Sequence, residues 1–164
     1  MRNDGFALDI AIAPARGDEE LATVARLFRE YQISIGVDLC FQGFEEELAT
    51  LPGAYGPPRG EILMARAGRA AAGVIAVRPL SVEDGACEMK RLYVRPAFRA
   101  AKLGRRLAEA ILAEGRRLGY RRMVLDTLHD MTAAQALYRT LGFTETDAYY
   151  TNPLPGVRYF VLTL

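Results

Sequence analysis

Residues Arg99, Ala100, Ala101, Lys102, Leu103, Gly104 and Arg105 follow the apolar segment Leu92-Tyr93-Val94-Arg95-Pro96 and open a stretch with helical periodicity. The first turn of a helix carries backbone N–H groups without intrahelical partners and the positive end of the macrodipole. Such a turn binds phosphate, and the side chains of Arg99, Lys102 and Arg105 add positive charge. The chemistry this spacing suits is the capture of a pyrophosphate. Gly104 would let ligand and backbone approach closely, because it has no Cβ.

The elements that must hold this loop are legible around it. A strand over Ala86 to Val94 feeds the loop, and Leu103, Leu107, Ala110, Ile111 and Leu118 mark one face of the helix that leaves it, with Gly119 as its stop. Upstream, Asp18 reads as the N-cap of a first helix carrying Leu21, Val24, Leu27, Phe28 and Tyr31, which ends near Ile33 to Gly36. A short helix around Phe44 to Leu51, a breaker-rich loop from Pro52 to Gly60, and strands over Ile62 to Ala67 and Ala71 to Leu80 follow. Downstream, Met123-Val124-Leu125 reads as a strand covered on both faces, and Asp130 as the N-cap of a helix with Met131, Ala134, Leu137, Tyr138 and Leu141. Gly142 ends that helix, and two strands, from Phe143 and over Tyr159 to Leu164, close the chain. The order is helices, then an antiparallel meander, then alternating strands and helices: one mixed α/β sheet, in a single domain over residues 1–164.

Bulk properties exclude several classes. In a chain of 164 residues, 51% hydrophobic and 25% charged, disorder and collagen-like structure drop out. The longest apolar run, Ala70 to Val77, is eight residues, too short to cross a bilayer as a helix. The segment from Met1 through Gly5 to Asp9 has no apolar stretch of the secretory kind, so the expected location is cytoplasmic. Cys40 and Cys87 stand alone and His129 is the one histidine, so neither a disulfide scaffold nor a metal site is expected. Residues 1–60 hold five arginines against ten acids, and residues 61–164 sixteen basic residues against ten acids. The basic half suits an anionic ligand, whereas a net charge of only +1 and no helix-turn-helix spacing argue against a nucleic-acid partner.

The segment from 86 to 107 resembles the acetyl-CoA-binding core of the GNAT superfamily of N-acetyltransferases. Arg99 takes the first position of the family's Arg/Gln-x-x-Gly-x-Gly/Ala loop and Gly104 the last, while Lys102 stands where the middle glycine is usual. Further on, Leu137-Tyr138 and Leu141-Gly142-Phe143 resemble the family's later helix and strand, with Met131 in place of an asparagine. The resemblance implies a mostly antiparallel mixed sheet, flanked by helices and splayed between the strand ending at Val94 and the strand around Leu125. Leu92, Tyr93 and Val94 would hold the pantetheine arm, and residues 99–105 the pyrophosphate.

The implied reaction is direct attack of a primary amine on the thioester of acetyl-CoA in a ternary complex, without metal. An alkylamine is mostly protonated at neutral pH, so a base is required. Glu88, six residues before Val94, is the candidate, acting through water; pairing with Lys90 or an arginine is its structural alternative. Tyr138 is the candidate acid for the departing thiolate. The substrate pocket would draw on Tyr31, Asp38, Phe41 and Gln42 after the first helix and on Tyr149, Tyr150, Asn152 and Tyr159 near the C-terminus, carboxylates and aromatics that suit an ammonium group. A non-catalytic acyl-CoA sensor is the rival reading. A homodimer is the family-based expectation.

Overall fold

The computed structural model describes residues 9–164; the expectation placed on Met1 to Gly5, and the side chain of Phe41, lie outside the described residues. Seven strands form one sheet in the order β1-β2-β3-β4-β5-β7-β6. They are β1 (Ile10–Pro14), β2 (Glu61–Ala67), β3 (Ala70–Pro79), β4 (Ala86–Val94), β5 (Arg122–Thr127), β6 (Thr144–Thr146) and β7 (Arg158–Thr163). All neighbours are antiparallel except β4 and β5. The helices are α1 (Gly17–Ile35), α2 (Phe44–Ala49), α3 (Leu103–Arg117) and α4 (Thr132–Thr140). Among the described residues no helix is long and apolar enough to cross a membrane.

The sheet is sandwiched between two apolar layers. Leu103, Leu107 and Ile111 of α3 and Tyr138 of α4 pack with Cys87, Met89 and Leu125 on one face. Val24, Leu27 and Phe28 of α1 and Phe44 of α2 pack with Ile62, Met64 and Val74 on the other. Period-two alternation along the strands sorts these side chains between the layers.

Three expectations need correction. The first described element is a strand rather than a helix: β1 is a five-residue edge strand whose Ile10 alone is buried, so its pattern is too short to read alone. Asp18 lies inside the first turn of α1, and the N-cap is Arg16, whose backbone N–H donates to Glu20 Oε2 at 2.6 Å. Asp130 does not cap α4; Met131 holds that position, and the loop is clasped by Gln135, whose amide donates to Leu128 O at 2.9 Å. In α1 a longer side chain, Glu20, reaches back to accept an N-terminal N–H, whereas in α4 Gln135 donates to the carbonyls of the preceding loop.

Two departures from regular pairing shape the middle of the sheet. Val74 pairs with Tyr93 and Ala76 with Lys90, so Arg91 and Leu92 of β4 together oppose Ile75. Arg91 sits in the left-handed region at φ 62, the geometry of a bulge. Opposite the far side of the bulge, Gly73 lies so close to β4 that a Cβ would stand 2.8 Å from Tyr93 O. β4 and β5 pair only from Ala86–Arg122 to Glu88–Val124. Beyond that point β4 follows β3 and β5 follows β7, and the two parallel strands separate.

Candidate active site

The opening between β4 and β5 is a cavity walled by Leu92 and Met89 of β4, Leu125, Asp126 and Thr127 of β5, and Tyr138 of α4, with Tyr31 of α1 at its side. Ligands of α/β sheets bind beyond strand C-termini where the sheet changes direction, and this is such a point. Thr127 Oγ1 is buried there without a hydrogen-bond partner. Among the described residues no hydrogen bond engages the Tyr138 hydroxyl. Burial, with Tyr31 and Asp126 adding to it, holds that phenol above its ordinary range, so it carries its proton at neutral pH.

The basic loop lies at the end of β4. Residues Pro96–Ala101 form a 3-10 turn, and Lys102 caps α3 in the left-handed conformation at φ 54. Lysine thus adopts the backbone shape for which a glycine is favoured. Arg106 N–H to Lys102 O, at 3.2 Å, is the first bond of the helix, which leaves the N–H groups of Leu103, Gly104 and Arg105 for a ligand. A Cβ on Gly104 would meet nothing nearer than 4.0 Å, so the protein's own packing does not demand glycine there. The side chains divide. Arg99 Nε donates to Val94 O at 3.0 Å, and Lys102 is exposed, as are Ala100 and Ala101. Arg105 is committed to Glu109 at 2.8 Å and Thr140 at 3.0 Å, and Leu103 is wholly buried, so these two offer a ligand their backbone.

On the α1 and α2 face, Glu88 is 3% exposed and sits in an ion-pair network. Its Oε1 accepts from Arg78 Nε at 2.9 Å, and its Oε2 accepts from the Tyr149 hydroxyl at 2.6 Å, with Lys90 Nζ 3.6 Å away. The pairing expected as its structural alternative is therefore present. Lys90 also donates to Asp126 Oδ1 at 3.2 Å, and Tyr150 donates to Asp126 Oδ2. Burial disfavours the charged form of Asp126, but Lys90, the Tyr150 hydroxyl and Arg91 outweigh it and hold the carboxyl below its usual range. Arg91, re-aimed by the bulge, donates from Nε to Glu47 Oε2 at 3.0 Å, and Tyr55 donates to Glu47 Oε1 at 2.8 Å.

The expected substrate residues part company. Tyr31 lines the splayed cavity, packed edge-on to Tyr93, and burial pushes its hydroxyl up to about 12. Tyr150 belongs to the network, its ring tilted against Tyr149 and edge-on to Tyr159. Asp38 is not brought to the cavity: it is exposed, and its Oδ1 accepts the Cys40 N–H at 2.9 Å, the turn-forming role of a short acid. Lys90 and an arginine were expected only as ion-pair partners of Glu88, and Asp126 and Glu47 are site residues that sequence reasoning left without a role. For Lys90 the signal was charge at period two inside an apolar strand, Glu88-x-Lys90, which puts both on one buried face.

Comparison with known proteins agrees with this geometry. Residues 22–143 match the model of the acetyltransferase (GNAT) family, and the chain belongs to that family. An uncharacterized N-acetyltransferase of Schizosaccharomyces pombe is 43% identical over 157 residues, covering 95% of this chain and 96% of the relative. Among solved structures, an acetyltransferase of Streptococcus agalactiae superposes with a TM-score of 0.78 at 22% identity, over 94% of this chain and 98% of that one. The structure of yncA from Salmonella typhimurium with its cofactor acetyl-CoA superposes with a TM-score of 0.70 at 19% identity, over 94% and 93%.

Proposed function

We propose that this protein is an acetyl-CoA-dependent N-acetyltransferase that moves acetyl to a primary amine within a ternary complex. The observation that carries the proposal is the splay itself: β4 and β5 part after three paired residues, beside an α3 N-terminus whose Gly104 has open space where a Cβ would stand. The residues present fit the cofactor. The free N–H groups of the first turn of α3 suit a pyrophosphate, and the orphaned Thr127 hydroxyl and the β5-facing edge of β4 beyond Glu88, which β5 no longer pairs, suit an arm bearing amides. Bound there, acetyl-CoA supplies an activated thioester.

The chain's own residues then divide the proton work. Glu88 takes up the amine's proton through water; its Oε2 accepts one hydrogen bond, from Tyr149, and a carboxylate oxygen has a second acceptor position. Tyr138 donates to the thiolate, its phenol kept protonated by burial. Direct transfer is favoured over an acetyl-cysteine. Burial pushes the Cys87 thiol up to about 12, and Asp38 raises that of Cys40, so neither is a thiolate near neutrality.

The test is thermal unfolding with acetyl-CoA, with coenzyme A and with ATP, followed by thiol release on an amine panel. Stabilisation by both coenzyme forms and not by ATP, with amine-dependent thiol release, is the expected result; a ligand at 100 times its Kd adds about 2.7 kcal/mol. An equal shift with ATP would reduce residues 99–105 to a general anion site. Coenzyme binding without thiol release would mark the chain as a sensor.

A further inference from the structure

Beside the splay, between the end of β3 and the loop that carries Tyr149 and Tyr150, lies a groove of about 190 Å³. Gln42 and Lys90 line both this groove and the splayed cavity, so the groove opens onto the place where acetyl would be transferred. Resting on the acetyltransferase reading above, we propose that the acceptor is an amine that also carries a carboxylate, and that Arg78 in this groove binds the carboxylate.

Three cations, Arg78, Lys90 and Arg91, face three anions, Glu47, Glu88 and Asp126. Each of the six carboxylate oxygens accepts a hydrogen bond from a protein donor. The acids are thus already neutralised and hold no vacant charge for an ammonium group.

The surplus lies on the donor side. Arg78 gives its Nε and Nη2 to Glu88, but its Nη1 is 3.9 Å from the nearest carboxylate oxygen, that of Glu47, beyond hydrogen-bond reach. The Arg78 side chain is 29% exposed and lines the groove. The hydroxyls of Ser81 and Thr151 line it too, and among the described residues neither is engaged by a hydrogen bond. A guanidinium edge with two free N–H groups is a carboxylate site by charge and by shape. A simple alkylammonium would meet that edge as a like charge. Leu80 and Val82, the latter 70% exposed, give the other wall an apolar surface for the acceptor's carbon skeleton.

Thiol release from acetyl-CoA decides the matter on matched pairs: phenylalanine against phenethylamine and against phenylalaninamide, and the ω-amino acids from 4-aminobutyrate to 6-aminohexanoate against alkylamines of equal length. We expect kcat/KM at least tenfold higher for the carboxylated member of the preferred pair. Arg78→Met should erase that ratio and Arg78→Lys should retain part of it. The parent chain alone suffices if Arg78→Met fails to fold. Thermal shift of the coenzyme A complex with each pair separates the two readings. Carboxylated amines that stabilise the complex without being acetylated would uphold the carboxylate site and sink the transferase reading. Partners lacking the carboxylate used as well as or better than the carboxylated ones would overturn the carboxylate site and leave the transferase reading standing. If neither member of any pair binds or reacts, the carboxylate site is overturned.

Discussion

Tyr149 donates its hydroxyl to Glu88 Oε2 at 2.6 Å, tying the C-terminal loop to the middle of β4 across 61 positions of sequence. Both groups are largely removed from water, and a hydrogen bond to a charged group in such surroundings contributes about 1.5–3 kcal/mol. Tyr149→Phe should lower unfolding stability by about that amount, read by urea denaturation. Glu88→Gln keeps the shape and the acceptor oxygen but cannot take a proton. Its turnover should fall about 100-fold to 10,000-fold while the Kd for acetyl-CoA stays within about twofold. Full turnover in Glu88→Gln would leave the residue a structural ion-pair partner only.

Tyr138 lies across the splay from β4, buried, with Phe143 and Phe160 against its ring. Tyr138→Phe preserves that packing and removes one proton. We expect kcat to fall at least tenfold with coenzyme A affinity unchanged, and the deficit to shrink for thioesters whose thiol is more acidic. An equal loss across all leaving groups would place the hydroxyl in a structural role.

Gly104 and Gly73 should respond in opposite ways. At Gly104 a Cβ meets nothing within 4.0 Å and the residue lies in a helix, so Gly104→Ala should raise stability by about 0.5–1 kcal/mol. A side chain longer than that methyl would stand where the ligand approaches, so Gly104→Leu should lower acetyl-CoA affinity at least tenfold. At Gly73 a Cβ would lie 2.8 Å from Tyr93 O and 3.1 Å from Leu107 Cδ1, so Gly73→Ala should destabilise the fold by about 1–3 kcal/mol. Calorimetry with and without acetyl-CoA reads both effects.

The titrations of the buried tyrosines and of Asp126 set opposite limits on stability. Burial holds Tyr31, Tyr55, Tyr138, Tyr149 and Tyr150 above their ordinary range, Tyr31 at about 12. In the unfolded chain they ionise near pH 10, so their contribution is complete below pH 10 and is lost as pH rises from about 10 toward 12. Asp126 is held below the usual carboxylate range, so its contribution is present above about pH 4 and is lost as pH falls through its folded value. Tm measured from pH 3 to pH 12 should show both losses. In Asp126→Asn the acid limb should shrink and the alkaline limb persist.

Much of this protein is local and can be read from the chain alone. The limits of β4 coincide with the run from Ala86 to Val94, and the α3 stripe and the closing Gly119 and Gly142 follow from periodicity and from glycine's freedom at positive φ. The basic turn and Gly104 are also local, because a helix N-terminus is made by the residues that form it. What tertiary structure decided is which charges meet. Asp38 looked as suitable as Asp126 by type, yet its carboxylate closes a turn with Cys40, while Asp126 is carried by β5 to Lys90 of β4, 36 positions away. Arg78, Glu88 and Tyr149 join through a strand register and a C-terminal loop, neither of which has a local sequence signature. The bulge at Arg91, beside the splay, shows only in the pairing of β4 with β3. Side-chain type and short-range spacing set elements and their faces; the charge balance of a buried site is a sum over distant strands, and only the assembled sheet determines it.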